Sequence, residues 1–113
     1  MATLTVQDIV VAGLEATYAA ASAGGDDFAN TDEKTMFHVK NGDADALEVT
    51  ISATRACNHG TTHDIVASIP ASNDRMFGPF DKERFNDATG KIGVAYDDET
   101  SVTVAAIRLP VSP

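Results

Sequence analysis

The sequence has one cysteine, no tryptophan and few basic residues. The lone Cys57 excludes an internal disulfide framework, so the fold cannot rest on the staples of small secreted domains. Eight Lys and Arg stand against seventeen Asp and Glu, a formal charge of -9. That balance argues against nucleic acid or an anionic membrane as partner, because both need a basic face. No apolar run approaches the roughly 18 residues of a membrane span. The N-terminus lacks a basic region before an apolar stretch, so no secretory signal is expected. Aromatic residues make up only 6%, which weakens a lectin or glycosidase reading. No Gly-x-Ser-x-Gly, His-Glu-x-x-His, P-loop or dinucleotide fingerprint is present.

What is there suits a globular fold. Hydrophobic residues are 43% and charged residues 22% of 113, enough apolar side chain for a core, in a length that predicts one domain over 1–113. Val6, Ile9, Val10, Gly13 and Leu14 follow helical spacing, with Thr5 as cap, Asp8 three residues on and Gly13 at the C-terminal position. They predict a short helix over about 5–12. Leu14, Ala16, Tyr18 and Ala20 then alternate as a strand would. Ser22 to Glu33 is rich in glycine, acid and asparagine and reads as a loop pinned by Phe28.

From Thr35 the period is two. Strands are expected at Met36–Lys40, Leu47–Thr54, His63–Ile69, Lys91–Tyr96 and Ser101–Leu109, with a short apolar piece at Arg75–Phe80. Asp81 to Gly90 reads as polar loop anchored by Phe85. Six to eight short strands at 8–12-residue spacing, each apolar on one face, predict an all-β, antiparallel, jelly-roll-like sandwich with a short N-terminal helix or arm over 1–11. The expected core is Val39, Leu47, Val49, Ile51, Ile65, Ile69, Phe77, Ile92, Val94, Val102, Val104 and Ile107. Ile107 is reached past an irregularity expected at Ala105-Ala106.

Three constellations bear on chemistry. Cys57, His59 and His63, with His38 or Asp64 as a fourth ligand, have a spacing loosely permissive for zinc, but the paired ligands of structural zinc motifs are missing. Cys57 and His59 suggest a nucleophilic pair, yet no orienting acid or oxyanion donor can be named. Asp26-Asp27, Asp43 with Asp45, and Asp97-Asp98-Glu99 could converge on calcium from the loops at one end of a sandwich, though none has EF-hand spacing. Each has a plainer explanation as an inert thiol, a polar loop or solubilising acidic turns. No catalytic, cofactor-binding or metal-ligating residues are therefore assigned, and no cofactor is expected.

The order of several short segments carries a resemblance. It starts with Val6-Gln7-Asp8-Ile9-Val10, Gly13-Leu14 and Tyr18. Gly24-Gly25-Asp26-Asp27-Phe28-Ala29-Asn30, Phe37-His38-Val39-Lys40-Asn41-Gly42 and Val49-Thr50-Ile51 follow. Ile69-Pro70-Ala71, Gly78-Pro79-Phe80, Phe85-Asn86-Asp87, Gly90-Lys91-Ile92 and Ser101 to Arg108 complete it. This resembles the small β-rich capsid decoration, or cement, proteins of tailed bacteriophages, over almost the whole chain. The resemblance implies a non-enzymatic virion protein, made in the host cytoplasm, that sits on the major capsid protein lattice as a homo-oligomer, most often a trimer. The alternative class is a small β-sandwich module for carbohydrate or calcium on a phage tail or other surface assembly. Met1–Val11 and the loop Gly24–Glu33 are expected at or near inter-subunit or capsid contacts.

Overall fold

A computed structural model describes residues 2–53 and 64–109. Two sheets enclose a common core. The first contains β1 (Ala2–Leu4), β4 (Asp26–Ala29), β9 (Lys91–Tyr96), β6 (Leu47–Ile51) and β7 (Ile65–Ile69), in that order. The second runs β2 (Val6–Asp8), β10 (Val102–Arg108), β5 (Thr35–Asn41) and β8 (Asp74–Phe77), and β3 (Ala19–Ala20) also pairs with β10. A single helical turn, α1 (Lys82–Phe85), precedes β9. From β3 onward the strands pair first with last: β3 with β10, β4 with β9, β5 with β8 and β6 with β7, all antiparallel. That is a long hairpin rolled up on itself, the jelly-roll connectivity. The all-β sandwich expected from the periodicity is the fold.

The N-terminal helix is not. Residues 2–8 are extended, and they make the sheets mixed rather than purely antiparallel. Ala2–Leu4 lies parallel to Asp26–Phe28 of the first sheet. Val6–Asp8 lies parallel to Ala106–Arg108 of the second. An eight-residue helix is marginal alone because nucleation is costly, whereas two sheet edges offer this segment backbone partners and a place for Leu4, which is buried. Asp8, expected to favour a helix dipole, instead takes both arms of Arg108, at 2.7 and 3.1 Å. Gly13 does adopt positive φ, at 103°, but it closes the turn Val10–Gly13. Beyond it Leu14, Ala16 and Tyr18 alternate in burial with exposed Glu15 and Thr17, as expected, although only Ala19–Ala20 join a ladder.

The expected loop over 22–33 contains β4, an inner strand between β1 and β9. Its inward positions are Asp26 and Phe28, both fully buried. Asn30 follows, buried too, and its amide donates to the Phe80 carbonyl and to Asn86 Oδ1. The polar composition hid a core strand because Asp26 Oδ2 and the Asn30 amide N–H groups find partners inside. At 81–90 the expected loop holds α1, capped by Asp81 accepting from the Glu83 N–H at 2.9 Å. Phe85 anchors it, as read.

The core follows the alternation of β5, β6, β9 and β10, with two corrections. Ile65 is only half-buried. On β10 there is no irregularity at Ala105-Ala106. Regular alternation turns Val102, Val104 and Ala106 inward, so Ile107 is buried on the opposite face, outside the core cluster. All five phenylalanines join one chain of ring contacts, Phe77–Phe37–Phe28–Phe80–Phe85, with centroids 5.3 to 6.4 Å apart. The two open sides of the sandwich are treated differently. Arg75 of β8 reaches the Ser68 carbonyl of β7 across one side. The arm spans the other, because β1 belongs to one sheet and β2 to the other.

Candidate functional site

Beneath the arm lies a cleft of about 410 Å³. It is framed by β1, Gln7 of β2, Ala19 and Ala20 of β3, and Val104 to Ala106 of β10. Its origin is topological. β2 and β3 both pair with the same edge of β10, at 106–108 and 103–104, and Ala105 between them has no ladder partner on that edge. The gap is bridged by Gln7, whose amide donates to the Thr17 carbonyl at 2.7 Å and accepts from the Thr17 N–H at 2.8 Å.

Among the described residues, Asp26 is the only ionisable one lining the cleft. Gly25 sets its position: φ is +92° there, and a Cβ would overlap the Val94 carbonyl oxygen. Only glycine permits both that conformation and that approach. Asp26 Oδ2 accepts from Tyr96 Oη at 2.8 Å and from the Ser22 N–H at 3.2 Å. Asp26 Oδ1 is buried and has no hydrogen-bond partner among the described residues. Leaving such an acceptor unpaired costs about 1–3 kcal/mol, more when it is charged. Burial, and then the hydrogen bond to Asp26 and its charge, push the Tyr96 phenol far above its ordinary value of 10.

A second polar arrangement lies on the outer face of the second sheet. His38 sits between Tyr18, with Oη 2.7 Å from Nδ1, and Asp74, with Oδ2 2.8 Å from Nε2. The Lys40 ammonium lies 3.9 Å from the centre of the Tyr18 ring. This chain ties the segment after Gly13 to β5 and β8. A more open depression of about 460 Å³ adjoins it, lined by Lys40, Asn41, Asp74 and Thr103 among others. Asn41 there is satisfied: its amide donates to the Asp45 and Ile69 carbonyls, and its oxygen accepts from the Asp43 N–H.

Of the residues singled out in the sequence, Cys57, His59 and His63 lie outside the described residues. The acids do not converge. Asp43 caps the Ala44 N–H, Asp64 the Ala53 N–H, Asp97 the Glu48 N–H and Asp98 the Thr100 N–H. The bonds from Thr100 hold the Asp98 carboxyl below its usual range. Glu99 contributes its carbonyl to the Val102 N–H. Among the described residues no three His, Cys, Asp or Glu come together as a metal site would require. Sequence reasoning missed the pairing of Asp26 with Tyr96, because the two stand 70 residues apart. The signal was the period-two series Asp26, Phe28, Asn30 directly after Gly25. No family model, curated protein or solved structure matches this chain.

Proposed function

We propose that this is a non-enzymatic structural protein of a tailed-bacteriophage virion, which decorates and stabilises the capsid by binding the major capsid protein lattice as a homo-oligomer, a trimer. The family resemblance of the segments named above motivates the reading. The observation that carries it is the N-terminal arm. Residues 2–8 lie in short parallel ladders at the edges of both sheets. They lead into a turn where Val10 is 52% exposed and Val11 fully exposed. Apolar side chains held out on an ordered turn suit a surface that a neighbour covers. The loop 24–33 contributes less than its composition suggested, because β4 is flanked on both edges and leaves only Gly24, Thr31 and Glu33 of the segment exposed.

The test is to quantify the protein in purified particles of the phage that encodes it, and to add it back to capsids that lack it. Stoichiometric copies on the head, and capsids made more resistant to heat, are expected. A sub-stoichiometric or tail-only location overturns the reading. Deleting residues 1–11 is expected to abolish capsid binding or self-association while the sandwich still melts cooperatively. Unchanged binding places the contact on a sheet face instead of the arm.

A further inference from the structure

We propose that the open depression at the end of β5 binds a neutral saccharide, whose hydroxyl groups exchange hydrogen bonds with Lys40, Ser72, Asn73, Asp74 and Ser101. This does not rest on the capsid reading. Successive amides of β5 fix the place. The Asn41 N–H donates to the Asn73 carbonyl and the Gly42 N–H to the Ser101 carbonyl, both at 2.9 Å. The turn before β8 and the turn before β10 are thereby drawn to the two edges of one strand end, around a space of about 460 Å³. That falls within the range of small-molecule sites, roughly 300–1,000 Å³. Ser72 and Ser101 are each the third residue of their turn, closed by the Asn73 N–H on the Pro70 carbonyl and the Val102 N–H on the Glu99 carbonyl. Both have positive φ, 61° and 59°, which glycine adopts freely and serine does not. Among the described residues neither hydroxyl makes a hydrogen bond, nor do the side chains of Asn73 and Thr103. Ser72, Asn73, Ser101 and Lys40 are exposed, so an occupant reaches them. The Asp74 side chain is 61% exposed, and only one of its oxygens is taken, by His38. Strained residues whose polar groups the fold itself does not use gather at ligand sites.

The lining selects the class of ligand. Among the described residues it contains no apolar side chain, so an apolar body gains little there. Its two charged groups, Lys40 and Asp74, stand opposite each other in the β5–β8 ladder. One charge of each sign gives an ion of either sign repulsion to set against its attraction. A sugar hydroxyl donates and accepts at once, and so do serine hydroxyls and the asparagine amide. Asp74 accepts and Lys40 donates, and bonds to charged groups are about twice as strong as neutral ones. No aromatic ring is among the lining residues, so hydrogen bonds alone carry the binding and its affinity is low.

The experiment titrates the full chain with the methyl glycosides of α-D-mannose, β-D-galactose and β-D-glucose, and with 1-butanol and sodium phosphate as the apolar and anionic alternatives. Backbone amide shifts are followed by NMR. At least one glycoside is expected to give saturable shifts centred on Gly42, Ser72, Asp74 and Ser101, with a Kd on the order of 1 mM. Butanol and phosphate are expected to bind at least about tenfold more weakly. Ser72→Gly and Ser101→Gly carry the decision, because each removes a hydroxyl and relieves the backbone. Each should leave the melting temperature unchanged or raise it, yet weaken the glycoside about fivefold. Saturation by none of the three glycosides, tighter binding of phosphate or butanol, shifts spread over the surface, or undiminished binding to both serine variants overturns the proposal.

Discussion

Two adjoining parts of the interior are built on opposite principles, although they share strands. On β4 the inward residues are Asp26 and Phe28, two positions apart. Around Phe28 five aromatic rings touch in sequence and every one of them is buried. Around Asp26 the walls are mostly alanine and threonine, with Leu4, Gln7 and Val104, and a cleft remains. Large planar side chains fill space to the density that interiors require. Small ones let β1, β2, β3 and β10 frame an opening that none of the described residues fills. The aromatic part fixes the sandwich. Among the described residues each part keeps a buried oxygen without a donor, Asp26 Oδ1 in one and Asn30 Oδ1 beside the other, so the unfilled space near Asp26 is what sets the two apart.

The comparison breaks first at the aromatic part. Phe37 stacks on Phe28 at 5.3 Å with its ring inclined by only 10°, and is completely buried. Phe37→Ala should cost about 3–5 kcal/mol, measured by urea unfolding. A loss below about 1 kcal/mol, the level of a surface change, removes the claim that the rings hold the sheets together. Ile51→Ala, inward on β6 and fully buried, should cost about 2–5 kcal/mol. A negligible effect on melting discards the register of that strand.

Next in size is the glycine that leads into β4. Gly25 has positive φ and abuts the Val94 carbonyl, so Gly25→Ala combines backbone strain with a contact that neither backbone can easily relieve. The strain alone is worth about 1–3 kcal/mol. A Gly13→Ala substitution has the same sign of φ but open space around its Cβ. It should therefore cost less, and equal losses at the two positions would mean that the Val94 contact contributes nothing.

The aromatic part was legible in the sequence and the cleft was not, for physical reasons. Strands β5, β6, β9 and β10 alternate strictly because their inward side chains are apolar. For β9 the expected bounds, Lys91–Tyr96, are those observed. β4 escaped because two of the three inward positions in its series, Asp26 and Asn30, are polar, and the side groups that bond Asp26 Oδ2 and the Asn30 amide lie far along the chain: Tyr96 for one, Phe80 and Asn86 for the other. The arm escaped because its apolar residues belong to two strands in different sheets. Their combined spacing imitates a helical stripe, and nothing local separates the two. Ile107 was placed on the wrong face by assuming an irregularity where the strand simply alternates.

The smallest effect probes the carboxylate itself. Tyr96→Phe removes the hydrogen bond to Asp26 Oδ2 while the Ser22 N–H remains. A net loss of about 0.5–1.5 kcal/mol is expected at neutral pH. The pH dependence is more diagnostic. Burial and the Asp26 carboxylate raise the folded-state value of the phenol above the ordinary 10 that the unfolded chain has. Below pH 10 the phenol is protonated in both states, and its contribution is fully present. Above pH 10 the unfolded state releases the proton and the folded state keeps it, so stability falls as pH rises. The slope is at most about 1.4 kcal/mol per pH unit, and less to the extent that water screens the half-buried ring. Unfolding free energies measured on either side of pH 10 should therefore descend more steeply for the natural protein than for Tyr96→Phe. Parallel curves would mean that water reaches the Asp26–Tyr96 pair freely. The cleft would then be solvent rather than a site, and the contrast with the aromatic part would be one of filling alone.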